Sequence, residues 1–129
     1  MTQGNSPDLE KRTAEFFAAI TRRDWVDATE RIHPEARAMQ NFVGQEVNAR
    51  ELFQSMRALV DSLSAFAYEN PRRIVGRDAV VEQHDVRMTR RDGAEVVLDV
   101  CIILRFDTEG RIVRIDEYLD SAGVAPLQA

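Results

Sequence analysis

The order of apolar patterns along the chain predicts an α+β domain. Two helical patterns, a short strand and a third helical pattern occupy the first half, and strands fill the second. The strongest observation is Val80 to Asp120, which reads as three consecutive antiparallel strands. Apolar residues recur there at alternate positions, and breaks at Arg91-Asp92-Gly93 and Thr108-Glu109-Gly110 each carry a glycine that tolerates positive φ. Helices kept apart from a meandering antiparallel sheet define the class. Three helices over one face of a curved sheet would enclose an apolar pocket.

The elements follow in order. Residues 1–5 and 122–129 are expected to be loose tails of a single domain spanning 1–129. Ser6 is placed to cap a helix that starts at Pro7, with Asp8 and Glu10 favourable in its first turn. Leu9, Thr13, Phe16, Phe17 and Ile20 form its apolar stripe. Asp24 opens a short second helix carrying Trp25, Ala28, Thr29 and Ile32, which Pro34 is expected to end. Ala36 to Phe42 reads as a strand stopped near Gly44. Asn48 and Glu51 pair as N-cap and third helical residue. The helix they open shows Leu52, Phe53, Met56, Leu59, Val60 and Leu63 on one face. A strand from Ala65 to Glu69 bends at Asn70-Pro71 and resumes at Ile74-Val75. The central strand, Val96 to Phe106, has apolar residues at every even position, with Asp99, Cys101 and Arg105 among the odd ones.

Composition narrows the function. A net charge of -5 gives no electrostatic reason to expect nucleic acid or an anionic membrane as a partner. One cysteine excludes an internal disulfide, and no Cys/His cluster has metal-ligand spacing. The polar start of the chain has no apolar signal core, and no run approaches about 18 apolar residues. The cytoplasm is therefore the default location.

Three stretches carry a resemblance across nearly the whole chain: RRDW at the second helix, IHPEA after it, and the closing FDTEGRIVRIDEYLD. Together they resemble the nuclear transport factor 2-like superfamily, which includes ketosteroid isomerases, SnoaL-like polyketide cyclases, scytalone-type dehydratases and limonene epoxide hydrolases. The resemblance implies a cone-shaped, cystatin-like α+β barrel with a deep apolar pocket. It also implies a homodimer formed through the outer face of the sheet. The positions of the isomerases' tyrosine, aspartate base and buried aspartic acid hold Phe16, Gln40 or Asn41, and Ile102 or Ile103 here, so that proton-abstraction set is missing. The epoxide hydrolases' Tyr-x-Asn is similar to Met39-Gln40-Asn41, with the Asn retained. Their Arg-x-Asp following a Glu is similar to Glu82-Gln83-His84-Asp85, with Asp85 in place and Gln83 replacing the Arg, and their closing acid falls on Glu117.

Turn length decides which groups face the pocket, because a one-residue slip exchanges the faces. A three-residue turn with Gly93 in the left-handed position pairs Arg90 with Ala94. It sets His84 opposite Val100, Val86 opposite Leu98 and Met88 opposite Val96. A two-residue turn would turn Gln83, Asp85 and Arg87 inward, at a cost of several kcal/mol. For the second hairpin, a four-residue loop Asp107 to Gly110 pairs Leu104 with Val113, Ile102 with Ile115 and Val100 with Glu117. His84, Val100 and Glu117 would then line up across three strands.

That line-up suits an acid/base pair working around a substrate. It also suits an ion pair that only fixes register. The candidate catalytic residues are His84, Glu117, Asn41 and Asp85, the last under the shorter turn. Phe16, Trp25, Met39, Met56, Tyr68, Val100, Ile102 and Leu119 are the candidate ligand-binding residues. Asp99 is expected on the outer face, Cys101 in a core or interface, and His33 at a helix end. The reading is a cofactor-independent enzyme of cyclase, dehydratase/isomerase or epoxide hydrolase type, acting on a small hydrophobic molecule. The alternative is a pocket or dimerisation module of the same fold without chemistry.

Overall fold

The computed structural model describes residues 6–128. The tail expected at residues 1–5, and Ala129, lie outside them. Three helices, α1 (Leu9–Thr21), α2 (Trp25–Glu30) and α3 (Ala49–Ser62), pack on a curved six-stranded sheet that does not close. The strands are β1 (Ile32–Gln40), β2 (Val47–Asn48), β3 (Ala65–Val75), β4 (Ala79–Thr89), β5 (Glu95–Phe106) and β6 (Ile112–Leu119). Their order across the sheet is β2-β1-β6-β5-β4-β3. The α+β class is as expected, although β1 joins β6 in parallel.

Several boundaries differ from the expectation. Asp8, not Ser6, caps α1, its carboxylate accepting from the Lys11 N–H at 3.0 Å. Asp24 caps α2 as expected, but α2 ends at Glu30, and Pro34 stands inside β1. The strand tolerates it because the pairing of β1 with β6 breaks between Ile32 and Arg37, so no ladder bond needs the missing N–H. Asn48 caps α3, its side chain accepting from the N–H groups of Arg50 and Glu51. The 122–129 tail is corrected as well. Ser121–Val124 forms a 3-10 turn, Ala125–Gln128 a single helical turn (α4), and Val124 packs against the core.

The β4–β5 hairpin has the expected register. Gly93 takes φ 94°, Arg90 pairs with Ala94, and His84 faces Val100. The β5–β6 hairpin does not. Its loop has five residues, closed by the Asp107 N–H donating to the Arg111 carbonyl at 2.9 Å. The Asp107 carboxylate also accepts from the N–H groups of Glu109 and Arg111, which wraps the loop around one side chain. A bulge then follows, because Phe106 pairs with Ile112 but Arg105 with Arg114, leaving Val113 over. The two single-residue steps cancel in face and add in register. Glu117 therefore still points inward but lies opposite Ile102, and Leu119 takes the place opposite Val100.

Candidate functional site

The corrected register draws one row straight across five strands. Arg73 pairs with Glu82, Glu82 with Ile102, Ile102 with Glu117, and Glu117 with Gln40. On one side of this row the sheet face is closed core, where Val80 and Leu104 are fully buried. On the other side it opens into a cavity of about 300 Å³ between the sheet, α1 and α3. Phe16, Phe17, Phe53 and Met56 line it from the helices. His84, Val86, Val100, Ile102, Glu117 and Leu119 line it from the sheet. Val124 closes part of its wall from the C-terminal segment, while Phe42 and Leu59, both partly exposed, stand at its rim.

His84 is the chemical centre of that wall. It is only 2% exposed, and its Nδ1 lies 2.5 Å from Oε2 of Glu82, which is 1% exposed. Both residues project from the same face of β4, being two apart in a strand. The other carboxylate oxygen of Glu82 accepts from Nε of Arg73. A carboxylate only accepts, so the tautomer that this contact favours for a neutral imidazole carries its proton on Nδ1 and keeps the lone pair on Nε2. Among the described residues Nε2 has no hydrogen-bond partner. The rings of Tyr68 and Phe17 pack against the imidazole and against each other, with centroids 4.8 and 5.1 Å from His84 and 4.8 Å apart.

The interruption in β3 explains the open place beside His84. Glu69 pairs with Asp85 and Arg72 with Gln83, so Asn70 and Pro71 together oppose the single residue His84. Asn70 takes φ 55°, a conformation that Asn tolerates better than most residues. Its amide turns to the outer face and donates to Asp85 at 2.9 Å. A regular strand would have turned residue 70 inward beside the imidazole.

Tyr68 and Glu117 complete the polar inventory. Burial, reinforced by the negative charges of Glu117 and Glu82, pushes the Tyr68 phenol well above its ordinary range. Oε1 of Glu117 accepts from Nε2 of Gln40 at 2.7 Å.

The remaining candidates fall elsewhere. Phe16, Met56, Tyr68, Val100, Ile102 and Leu119 line the cavity, but Trp25 and Met39 do not. Trp25 is core, packed against Phe53 with its N–H on Asp61, and Met39 points away because Ala38 and Gln40 take the inward positions of β1. Asn41 spends its amide on the N–H and carbonyl of Leu119, stapling the end of β1 to β6. Asp85 is on the outer face, where the Asn70 and Asp99 side chains hold its carboxyl below the usual range. The set similar to the epoxide hydrolases is thus not brought together.

Helices over a curved sheet, with a few polar groups on an apolar cavity wall, are an arrangement in which small-molecule sites often occur. The SnoaL-like domain family matches residues 13–115, and the chain belongs to that family. Among solved structures it is similar to AclR, a provisionally named hydroxylase from Streptomyces galilaeus, with a TM-score of 0.81 at 17% identity over 95% of this chain and 82% of that one. It is similar to a provisionally named SnoaL-like polyketide cyclase from Shewanella denitrificans, with a TM-score of 0.80 at 11% identity over 95% and 98%. An LEH-like epoxide hydrolase from M. tuberculosis matches with a TM-score of 0.75 at 14% identity over 92% and 86%. At these identities the likeness is one of fold. No curated protein matches the chain.

Proposed function

We propose that the cavity is the active site of a cofactor-independent acid/base enzyme acting on a small, largely apolar carbonyl compound. The observation that carries this reading is His84 on the cavity wall, its Nδ1 held by the buried Glu82 and its Nε2 open. Nε2 removes a proton from the carbon next to the carbonyl. The electron pair of that C–H bond moves onto the carbonyl oxygen, and the Tyr68 phenol donates a hydrogen bond to the developing charge. Glu82 stabilises the imidazolium as it forms, and Arg73 anchors Glu82. The enolate then closes on a second carbonyl of the same molecule or expels a leaving group, and the imidazolium returns the proton. Aldol-type cyclisation and dehydration both follow from this set. Epoxide opening is less well served, because Asn41 and Asp85 lie outside the cavity.

We further propose that the protein works in the cytoplasm as a homodimer formed through the outer sheet face. Val97 and Tyr118 are 47% and 51% exposed there, with Cys101 half-buried beside Tyr118. No helix among the described residues is long and apolar enough to cross a membrane.

A generic probe tests the reading without the natural substrate. Ring opening of 5-nitrobenzisoxazole needs only a base that removes a carbon-bound proton in an apolar site. The wild type should accelerate it above buffer, and His84→Ala should return it to background. No acceleration, or equal rates in the two proteins, would overturn the enzyme reading and leave a pocket that binds without chemistry.

A further inference from the structure

The charge inventory of the cavity wall has one unmatched member. Among the described residues lining the cavity there is no Lys or Arg, and Glu117 is the one carboxylate. The other carboxylate near the cavity, Glu82, already faces a cation in Arg73 and a ring N–H in His84. The arginine of β6, Arg114, pairs with Asp116 and Glu46 on the outer side, away from Glu117. Among the described residues, the Glu117 carboxylate has only the neutral amide of Gln40, on one of its two oxygens. A carboxylate accepts up to about four hydrogen bonds, and a half-buried one with a single amide partner is poorly compensated. After burial, its charge is the next cause that raises the Tyr68 phenol on the same cavity wall.

We propose that Glu117 makes the cavity selective for ring compounds that carry a hydrogen-bond donor at one end, a protonated amine above all, and that it turns carboxylates away. The ligand supplies the charge that the wall lacks. Phe16, Phe42 and Phe66 line the same cavity, and aromatic faces favour a cation near them as well as a ring. Glu117 and Glu82 stand two strands apart, roughly 10 Å across the sheet at the usual strand spacing. A molecule with its donor on Glu117 therefore reaches the imidazole of His84 with its opposite end. This inference rests on the cavity being the substrate site. It does not require the proton-abstraction chemistry, so its test reads binding and not turnover.

The test is a shape-matched series titrated by calorimetry or ligand-observed NMR near neutral pH: 2-naphthylmethanamine, 2-naphthylmethanol, 2-methylnaphthalene and 2-naphthoate. A hydrogen bond to a charged group favours the amine over the hydrocarbon by about 10- to 100-fold, with the alcohol between them and the carboxylate weakest. Glu117→Gln should bring amine, alcohol and hydrocarbon to within about 3-fold of one another and relieve the discrimination against naphthoate. Where that variant does not fold, the ranking in the wild type decides alone. An amine bound no more tightly than 2-methylnaphthalene, an unchanged ranking in Glu117→Gln, or no binding by any member overturns the proposal. A preserved ranking with no His84-dependent ring opening would instead retain the selectivity and remove the chemistry.

Discussion

Replacing Glu82 by Gln isolates what the buried carboxylate contributes to His84. The amide has the same shape, but it can present an N–H to Nδ1, which moves the ring proton to Nε2 and blocks the lone pair that faces the cavity. General-base catalysis contributes about 10²- to 10⁴-fold, so kcat should fall by that range, about 2.7–5.4 kcal/mol of barrier at 1.36 kcal/mol per tenfold. Stability should fall less. Breaking a buried pair costs about 3–5 kcal/mol, but the side chain left without its charge partner, Arg73, is 19% exposed and partly solvated. A loss of about 2–3 kcal/mol follows, or roughly 10 °C in Tm for a domain of this size. Kinetics on 5-nitrobenzisoxazole read the first quantity and thermal unfolding the second. A variant that loses stability but keeps wild-type kcat would show that Glu82 holds the fold and does not tune the base.

Three further outcomes are expected. The Tyr68 phenol, raised above its ordinary 10.0, contributes stability in full below pH 10, and that contribution is lost as pH rises beyond it toward the folded value. The 295 nm absorbance difference between wild type and Tyr68→Phe should therefore show no ionisation step from Tyr68 near pH 10 in the folded state; a normal step would contradict its burial. Gly123→Ala would set a Cβ 2.5 Å from Cδ2 of Leu98. It should cost about 1–3 kcal/mol by overpacking and loosen the segment carrying Val124, measured by chemical denaturation and by proteolysis of the C-terminal turn. Light scattering should give twice the monomer mass, and Tyr118→Glu, placing charge on the outer face, should shift it toward monomer; a monomeric wild type at high concentration would refute the dimer.

Much of the fold was legible in the sequence because its signals were local. The Gly93 turn and the match of apolar faces set the β4–β5 register, and with it the inward position of His84. The β5–β6 register was not legible. The Asp107-wrapped loop and the bulge at Val113 each shift the pairing by one residue, so alternation along β6 looks the same with or without both. Glu117 was thus placed on the correct face and one row too far along. Glu82 entered only through the epoxide-hydrolase resemblance and was given no role, although it shares the even-numbered face of β4 with His84. Its isolation in an apolar run, two residues from an inward histidine, was the available signal. Trp25 and Met39 show the converse limit, since apolar character alone does not separate a cavity wall from solid core or from the opposite face.

The account turns on one proton. Long-range ¹⁵N–¹H correlation spectra of the neutral imidazoles resolve which nitrogen of His84 carries it, and His33, outside the cavity, serves as the internal reference. The account predicts a protonated Nδ1 and a bare Nε2 for His84 in the wild type, with the pattern lost in Glu82→Gln. A proton on Nε2 in the wild type would contradict it.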